Sequence, residues 1–280
     1  MMRGSRTMAV AVRAPEGNIV LQKEPLNEAL YRGPISRIPF LRGLVSLWDA
    51  LGLGTKALMM SADVAAGEEA SLSGPVAWGT VVLGVGMGVG LFMMLPSFLV
   101  GLVAPYLPAE WLVSLLEGIV RLLLIVGYIW AVGRIPDIRR VFAYHGAEHK
   151  TMHAYEDGVE LTVEEVRRFS TAHTRCGTAF LLTLVVLTML IFAPFRPPTL
   201  LWRLTSRIVL LPVIAGISYE FIRLTARFAD RAWVRALAAP NLALQRLTTR
   251  EPEDSMLEVA IEALEAVLAD EGTPTGQETE

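Results

Sequence analysis

The chain has 280 residues, a formal net charge of −3 and an isoelectric point near 5.9, with 53% hydrophobic and 19% charged residues. That balance is too apolar for an average soluble domain, and the lack of a basic excess argues against a nucleic-acid partner. A single cysteine, Cys176, rules out an intramolecular disulfide and fits a reducing compartment.

From Met1 to Leu30, Arg3, Arg6, Arg13 and Lys23 are mixed with short apolar runs. This is not the order of a cleavable signal peptide, so membrane entry is expected from internal segments. Thr7–Arg13 and Asn18–Lys23 are short β-prone runs around the turn residues Pro15-Glu16-Gly17-Asn18, which predicts a small hairpin. Apolar residues at helical spacing from Phe40 to Val64, broken by Arg42, Asp49 and Lys56, predict a helix on the membrane surface.

Four stretches, near 76–104, 111–133, 178–195 and 200–222, are apolar enough to cross about 30 Å of hydrocarbon, which takes about 20 helical residues. The first carries Gly84, Gly86, Gly88 and Gly90, a small-residue seam suited to close helix packing, and Pro96, which should kink it. It reads as one tilted span or as a hairpin. Glu117 and Arg121, four apart in the second stretch, read as an intramembrane ion pair that fixes packing, or as part of a polar path. Arg203, Arg207 and Glu220 lie in or at the ends of the fourth.

Eight, seven and six Lys and Arg residues fall in 1–75, 134–177 and 223–280, against none in 105–110 and one in 194–199. By the positive-inside rule both termini and the central loop face the cytoplasm. The expected fold class is therefore an all-α polytopic membrane protein of about four transmembrane helices, with a small N-terminal β-hairpin and cytoplasmic amphipathic helices. Its expected segments are 1–75, 76–133, 134–177, 178–222, 223–270 and a disordered 271–280. Arg223, Arg227, Arg231 and Arg235 would share one helical face, available to lipid phosphates or simply solvated. Glu253 to Asp270 reads as an amphipathic helix in need of a partner surface.

Chemistry is concentrated in the central loop. All four histidines, His145, His149, His153 and His173, and the only cysteine lie within 145–176. His145, Glu148 and His149 spell H-x-x-E-H, in which histidines one turn apart bind a divalent metal and the glutamate activates water. At about 100° per residue, His145, His149 and Glu156 form one facet, with His153 and Glu148 flanking it on opposite sides. Asp157-Gly158 should stop the helix. His173 and Cys176, three apart where the chain re-enters the membrane, can complete the set. Mixed nitrogen and sulfur donors point to zinc first and iron second.

Tyr144-His145-Gly146-Ala147-Glu148-His149-Lys150, Tyr155-Glu156 and His173-Thr174-Arg175-Cys176-Gly177-Thr178 closely resemble the YqhQ-like family (DUF1385) of bacterial membrane proteins, usually labelled predicted metal-dependent enzymes. The resemblance covers nearly the whole chain, including Met2-Arg3-Gly4 and Leu247-Thr248-Thr249-Arg250-Glu251-Pro252. The family's Gly-Gly-Gln-Ala stretch upstream of the Met1-Met2-Arg3-Gly4 segment implies an earlier translation start. The resemblance also makes His153 a neighbour rather than a ligand. His145, His149, His173 and Cys176 are the ligands expected first, with Glu156 beside them and Glu148 as the catalytic base.

Two functions compete. One is a metal-dependent hydrolase at the cytoplasmic membrane face. The other is a non-enzymatic scaffold or assembly factor whose zinc site is structural and closed by four ligands. The expected partners are the lipid bilayer and other membrane proteins.

Overall fold

The computed structural model describes the chain except for residues 32, 35–37, 67–74, 174–175, 193–199, 229–230 and 273–280. It is mostly helical, with one small antiparallel sheet of strand order β1-β2-β3, where β1 is Met2–Arg3, β2 is Thr7–Arg13 and β3 is Ile19–Pro25. The hairpin expected at 7–23 is present, with Arg13 paired to Ile19 and Thr7 to Pro25. Its turn uses Gly17 at φ 93°, and Ala14 N–H donates to the Asn18 carbonyl at 2.9 Å. The extra strand β1 pairs Met2 with Ala9 and Arg3 with Met8.

Alternation along β2 serves two cores. Met8, Val10 and Val12 pack with Leu26 and with Ala57 of the helical segment that follows. Ala9 joins Met2 and the last helix of the chain on the opposite face. Both faces of the central strand are thus covered, which is why Thr7 to Val10 are buried without a break.

The helices are α1 Glu28–Tyr31, α2 Leu41–Trp48, α3 Gly54–Ala66, α4 Pro75–Val89, α5 Leu95–Val103, α6 Glu110–Val132, α7 Pro136–Glu156, α8 Val163–Arg167, α9 Gly177–Phe192, α10 Leu200–Arg227, α11 Ala232–Thr248 and α12 Asp254–Glu271. One π-helical turn, Asp49–Leu53, joins α2 to α3, and another, Gly90–Met94, joins α4 to α5. The surface helix expected over 40–64 is therefore α2, a wide turn and α3. Its α2 end crosses α10 backbone to backbone, since a Cβ on Gly43 would lie 2.7 Å from the Ala215 carbonyl oxygen. Arg42 forms an ion pair with Glu220 beside that crossing.

Among the described residues, two stretches are long and apolar enough to cross a membrane, Val82–Tyr106 and Trp111–Val132. Only 12% and 6% of their apolar windows are buried within the chain, so they are not core helices of a soluble protein. Four such spans were expected. The third candidate, α9, has 16 described residues, short of the about 20 a bilayer requires, and residues 193–195 of its expected range lie outside the described residues. The fourth, α10, extends to Arg227 and carries Pro212 in its interior.

The expected kink at Pro96 takes the form of the π turn just before it. Proline has no N–H for the Phe92 carbonyl four residues back, and Arg121 Nε donates to that oxygen at 2.9 Å. Glu117 holds Arg121 at 2.7 Å and accepts from Ser97 Oγ at 2.8 Å. The ion pair thus joins α5 to α6 at the helix break. Among the described residues, nothing approaches Gly84, Gly86, Gly88 or Gly90 within 4 Å of a built Cβ.

The basic stripe expected from Arg223 to Arg235 is not one helical face. Helix α10 ends at Arg227 and α11 begins at Ala232. The amphipathic helix expected at 253–270 is α12, and its partner surface is the sheet together with α7. Met256, Leu257, Ile261 and Leu264 are buried against Ala143, Ala147 and Ala154 of α7. Of the tail expected over 271–280, Glu271 is the last residue of the helix and Gly272 caps it at φ 73°, while 273–280 lie outside the described residues.

Candidate metal centre

Helix α7 is buried along two opposite faces. Ala143, Ala147, Thr151 and Ala154 face α12, and small side chains there allow close approach. About half a turn away the histidines line the other face. The helix stops where Asp157-Gly158 requires it: Gly158 has φ 70°, its N–H donates to the Tyr155 carbonyl at 3.1 Å, and Val159 N–H donates to Ala154 at 3.1 Å. The chain then returns through α8, bringing residues 171–173 and Cys176 across the histidine face.

Six donors meet there in two groups of three. His145, His149 and Cys176 offer one ligand atom each, all within 4.8 Å of one another. His153, Glu156 and His173 do the same beside them. The single cluster expected from sequence is thus drawn out along the helix. His173 joins Glu156 at 3.2 Å, whereas Cys176 joins His145 Nε2 at 3.2 Å. His153, expected only as a neighbour, stands in the second group with its ring 4.6 Å from that of His173.

Backbone carbonyls set the rings. A carbonyl can only accept, so the nitrogen facing it carries a proton, and in the neutral ring the other nitrogen keeps its lone pair. His145 Nδ1 donates to Thr248 at 2.9 Å, His149 Nδ1 to Thr171 at 2.6 Å and His153 Nε2 to Ala172 at 2.8 Å. This is the outer-shell arrangement characteristic of metal-binding histidines. Gln245, 2% exposed, holds His173 by its backbone, accepting from its N–H at 2.8 Å and donating to its carbonyl at 2.9 Å.

Charge follows from the same contacts. Burial pushes the Cys176 thiol up, but hydrogen bonds and positive charge from His145 and His149 outweigh it and hold the thiol down at about 5. Burial pushes His145 down, and Cys176, Glu148 and the Thr248 carbonyl together raise it to about 9. In the metal-free protein these two form a thiolate–imidazolium pair. Burial keeps His173 below the ordinary imidazole range, against the opposing pull of Glu156.

Glu148 lies 3.8 Å from the Met1 amine and its side chain is 38% exposed. Sequence reasoning missed the residues that close the site from outside the loop. A Cβ on Gly146 would lie 2.1 Å from the Arg250 carbonyl oxygen, so only glycine lets the 248–251 segment cross α7 there. Arg250 N–H donates to the Phe142 carbonyl at 2.9 Å, and that crossing delivers the Thr248 carbonyl to His145. Lys150, 3% exposed, donates to the Arg167 carbonyl at 2.8 Å and pairs with Glu251. The one sequence signal for these contacts was the family-like segment Leu247 to Pro252.

The donors suit a cation. Two imidazoles and a thiol, with rings oriented by carbonyls, match the ligand chemistry of zinc, which takes the imidazoles neutral and the thiol deprotonated. A family profile described as "Protein of unknown function (DUF1385)" matches residues 38–270. The chain belongs to the DUF1385 family. It is 33% identical over 282 aligned residues to "Uncharacterized protein YqhQ" of Bacillus subtilis (strain 168), covering 96% of this chain and 89% of that protein. No solved structure matches the chain. The profile match spans the segments that build the histidine cluster, from α7 into α12.

Proposed function

We propose that the chain is a metal-dependent hydrolase of the cell membrane, with its site on the cytoplasmic face. The observation that carries this reading is the three-donor set of His145, His149 and Cys176. Structural zinc sites take four protein ligands, whereas catalytic ones take three and leave a position open. His173, the fourth ligand of a closed site, is engaged with Glu156 instead. A divalent cation held there supplies Lewis acidity toward a carbonyl or a water. The chain's own groups orient the ligand rings through Thr248 and Thr171, and Glu148, one residue before His149, is the proton acceptor.

The wider setting is a multi-pass protein of four spans with both termini cytoplasmic. The exposed aromatic residues support it. Tyr106, Trp111 and Trp202 fall at the helix ends this topology puts outside, and Trp130 and Trp233 at the ends it puts inside. Arg134 lies 3.3 Å above the Trp130 ring, a cation at the inner boundary.

A second reading, a scaffold with a structural zinc, is favoured by one observation: buried Cys176 is among the donors, and a thiolate donates strongly and leaves a bound metal less acidic. Detergent-purified protein assayed on fluorogenic peptide and ester substrates separates the two. The hydrolase reading expects activity that chelation removes and zinc restores, and Glu148→Gln should keep its metal but lose turnover. Full activity in Glu148→Gln, or hydrolysis indifferent to chelation, overturns it.

A further inference from the structure

We propose that the chain holds a second divalent cation, through His153, Glu156 and His173, beside the one at His145, His149 and Cys176. The sequence offers this set no motif, and only the return of residues 171–173 over the last turn of α7 assembles it. His153 and Glu156 are three apart on that turn, and His173 comes from the loop. Their ligand atoms lie within 4.8 Å of one another.

The second set is built to the same pattern as the first. His153 has its Nε2 proton on the Ala172 carbonyl at 2.8 Å, which leaves Nδ1 to bind. Its ring is stacked on Phe169, 8° from parallel, which fixes the plane. His173 is 5% exposed and held on both sides of its peptide by the Gln245 amide. A histidine–glutamate hydrogen bond alone would need neither a third donor nor this degree of support.

The two sets form one continuous array. Ring centroids run His145 to His149 at 4.4 Å, His149 to His173 at 5.7 Å and His173 to His153 at 4.6 Å. Each set supplies one anionic donor, Cys176 to the first and Glu156 to the second, so two dications are each partly neutralised. The donors differ in softness. The thiolate set favours zinc or ferrous iron, while the carboxylate set also accepts harder ions such as manganese. The two sets would hold two cations side by side along one face of α7. This inference extends the proposed hydrolase but does not depend on its activity, because metal content is read without substrate.

Cobalt(II) titration of the chelated full-length protein, followed by absorption and elemental analysis, tests it. The expected result is about two equivalents per chain. One step should show the thiolate-to-cobalt charge-transfer band, and one should lack it. Glu156→Gln and His153→Ala should each remove the step without the band and leave the other in place. Cys176→Ser should do the reverse. The retained step in each variant reports that the fold survives. A single equivalent in the wild type, or two equivalents in Glu156→Gln and His153→Ala alike, overturns the second site. If neither wild-type step shows the band and Cys176→Ser leaves both unchanged, the first site fails and the second stands.

Discussion

The Nδ1–H of His145 donates to the carbonyl of Thr248 at 2.9 Å, joining residues 103 positions apart. This bond exists because α11 ends at Thr248 and the following segment crosses α7 over Gly146. The C-terminal region thereby fixes which nitrogen of His145 faces Cys176. The site is a product of the whole chain rather than of its H-x-x-E-H string.

Gly146→Ala should show that dependence. The new methyl would sit 2.1 Å from the Arg250 carbonyl oxygen, so the 248–251 segment must lift. The expected cost is about 1–3 kcal/mol of stability from overpacking. Loss of the Thr248 contact should weaken metal binding by about 10- to 100-fold. Thermal unfolding and metal retention under competing chelator check both. Unchanged values would mean that the crossing does not orient His145.

Thiol reactivity in the chelated protein should follow the Cys176–His145 pair. A thiol held down at about 5 keeps its thiolate above that pH and loses it only as pH falls through it. Alkylation by iodoacetamide should therefore be nearly flat from about pH 6 to 8 and drop near pH 5, whereas an ordinary thiol gains rate up to about pH 8.5. Burial slows the reaction at every pH without changing this shape. His145→Ala should move the drop upward. A wild-type rate that climbs about tenfold per unit through pH 6 to 8 would show that the ion pair is absent.

The Glu117–Arg121 pair should be coupled. Their side chains are 13% and 14% exposed, and Arg121 also serves the Phe92 carbonyl at the Pro96 break. Arg121→Leu should cost on the order of 3–5 kcal/mol, because it leaves Glu117 a buried charge without its partner. The double variant Glu117→Leu/Arg121→Leu should recover much of that loss. Detergent-solubilised yield and unfolding temperature read the difference. Additive losses would show that the two residues act independently.

Local patterns were legible where they were long. The β-prone runs at 7–13 and 18–23 and the turn residues 15–18 were enough to expect the hairpin, whereas a strand of two residues, Met2–Arg3, carries no period. The apolar runs at 76–104 and 111–133 correspond to the two stretches able to cross a membrane. The wide turns at 49–53 and 90–94 were not legible, since a π turn inserts one residue without any special residue type. At the site, helical spacing put His145 and His149 on one face. It did not reveal that His173 and Cys176 serve different groups. Three loop residues can span about 10 Å, and α7 rises about 16 Å between His145 and Glu156, so a short H-x-x-C spacing does not force a common target. Gly146, Gln245 and the Thr248 carbonyl were hidden because their role depends on a crossing about a hundred residues later in the chain.

The measurement closest to the central claim is zinc K-edge X-ray absorption on the purified protein, wild type against Cys176→Ser. The three-donor site predicts a sulfur neighbour at about 2.3 Å together with imidazole nitrogens at about 2.0–2.1 Å. The sulfur signal should disappear in Cys176→Ser while the helical circular dichroism is retained. Zinc bound without any sulfur neighbour in the wild type, or a spectrum unchanged by the substitution, would contradict a centre built on His145, His149 and Cys176.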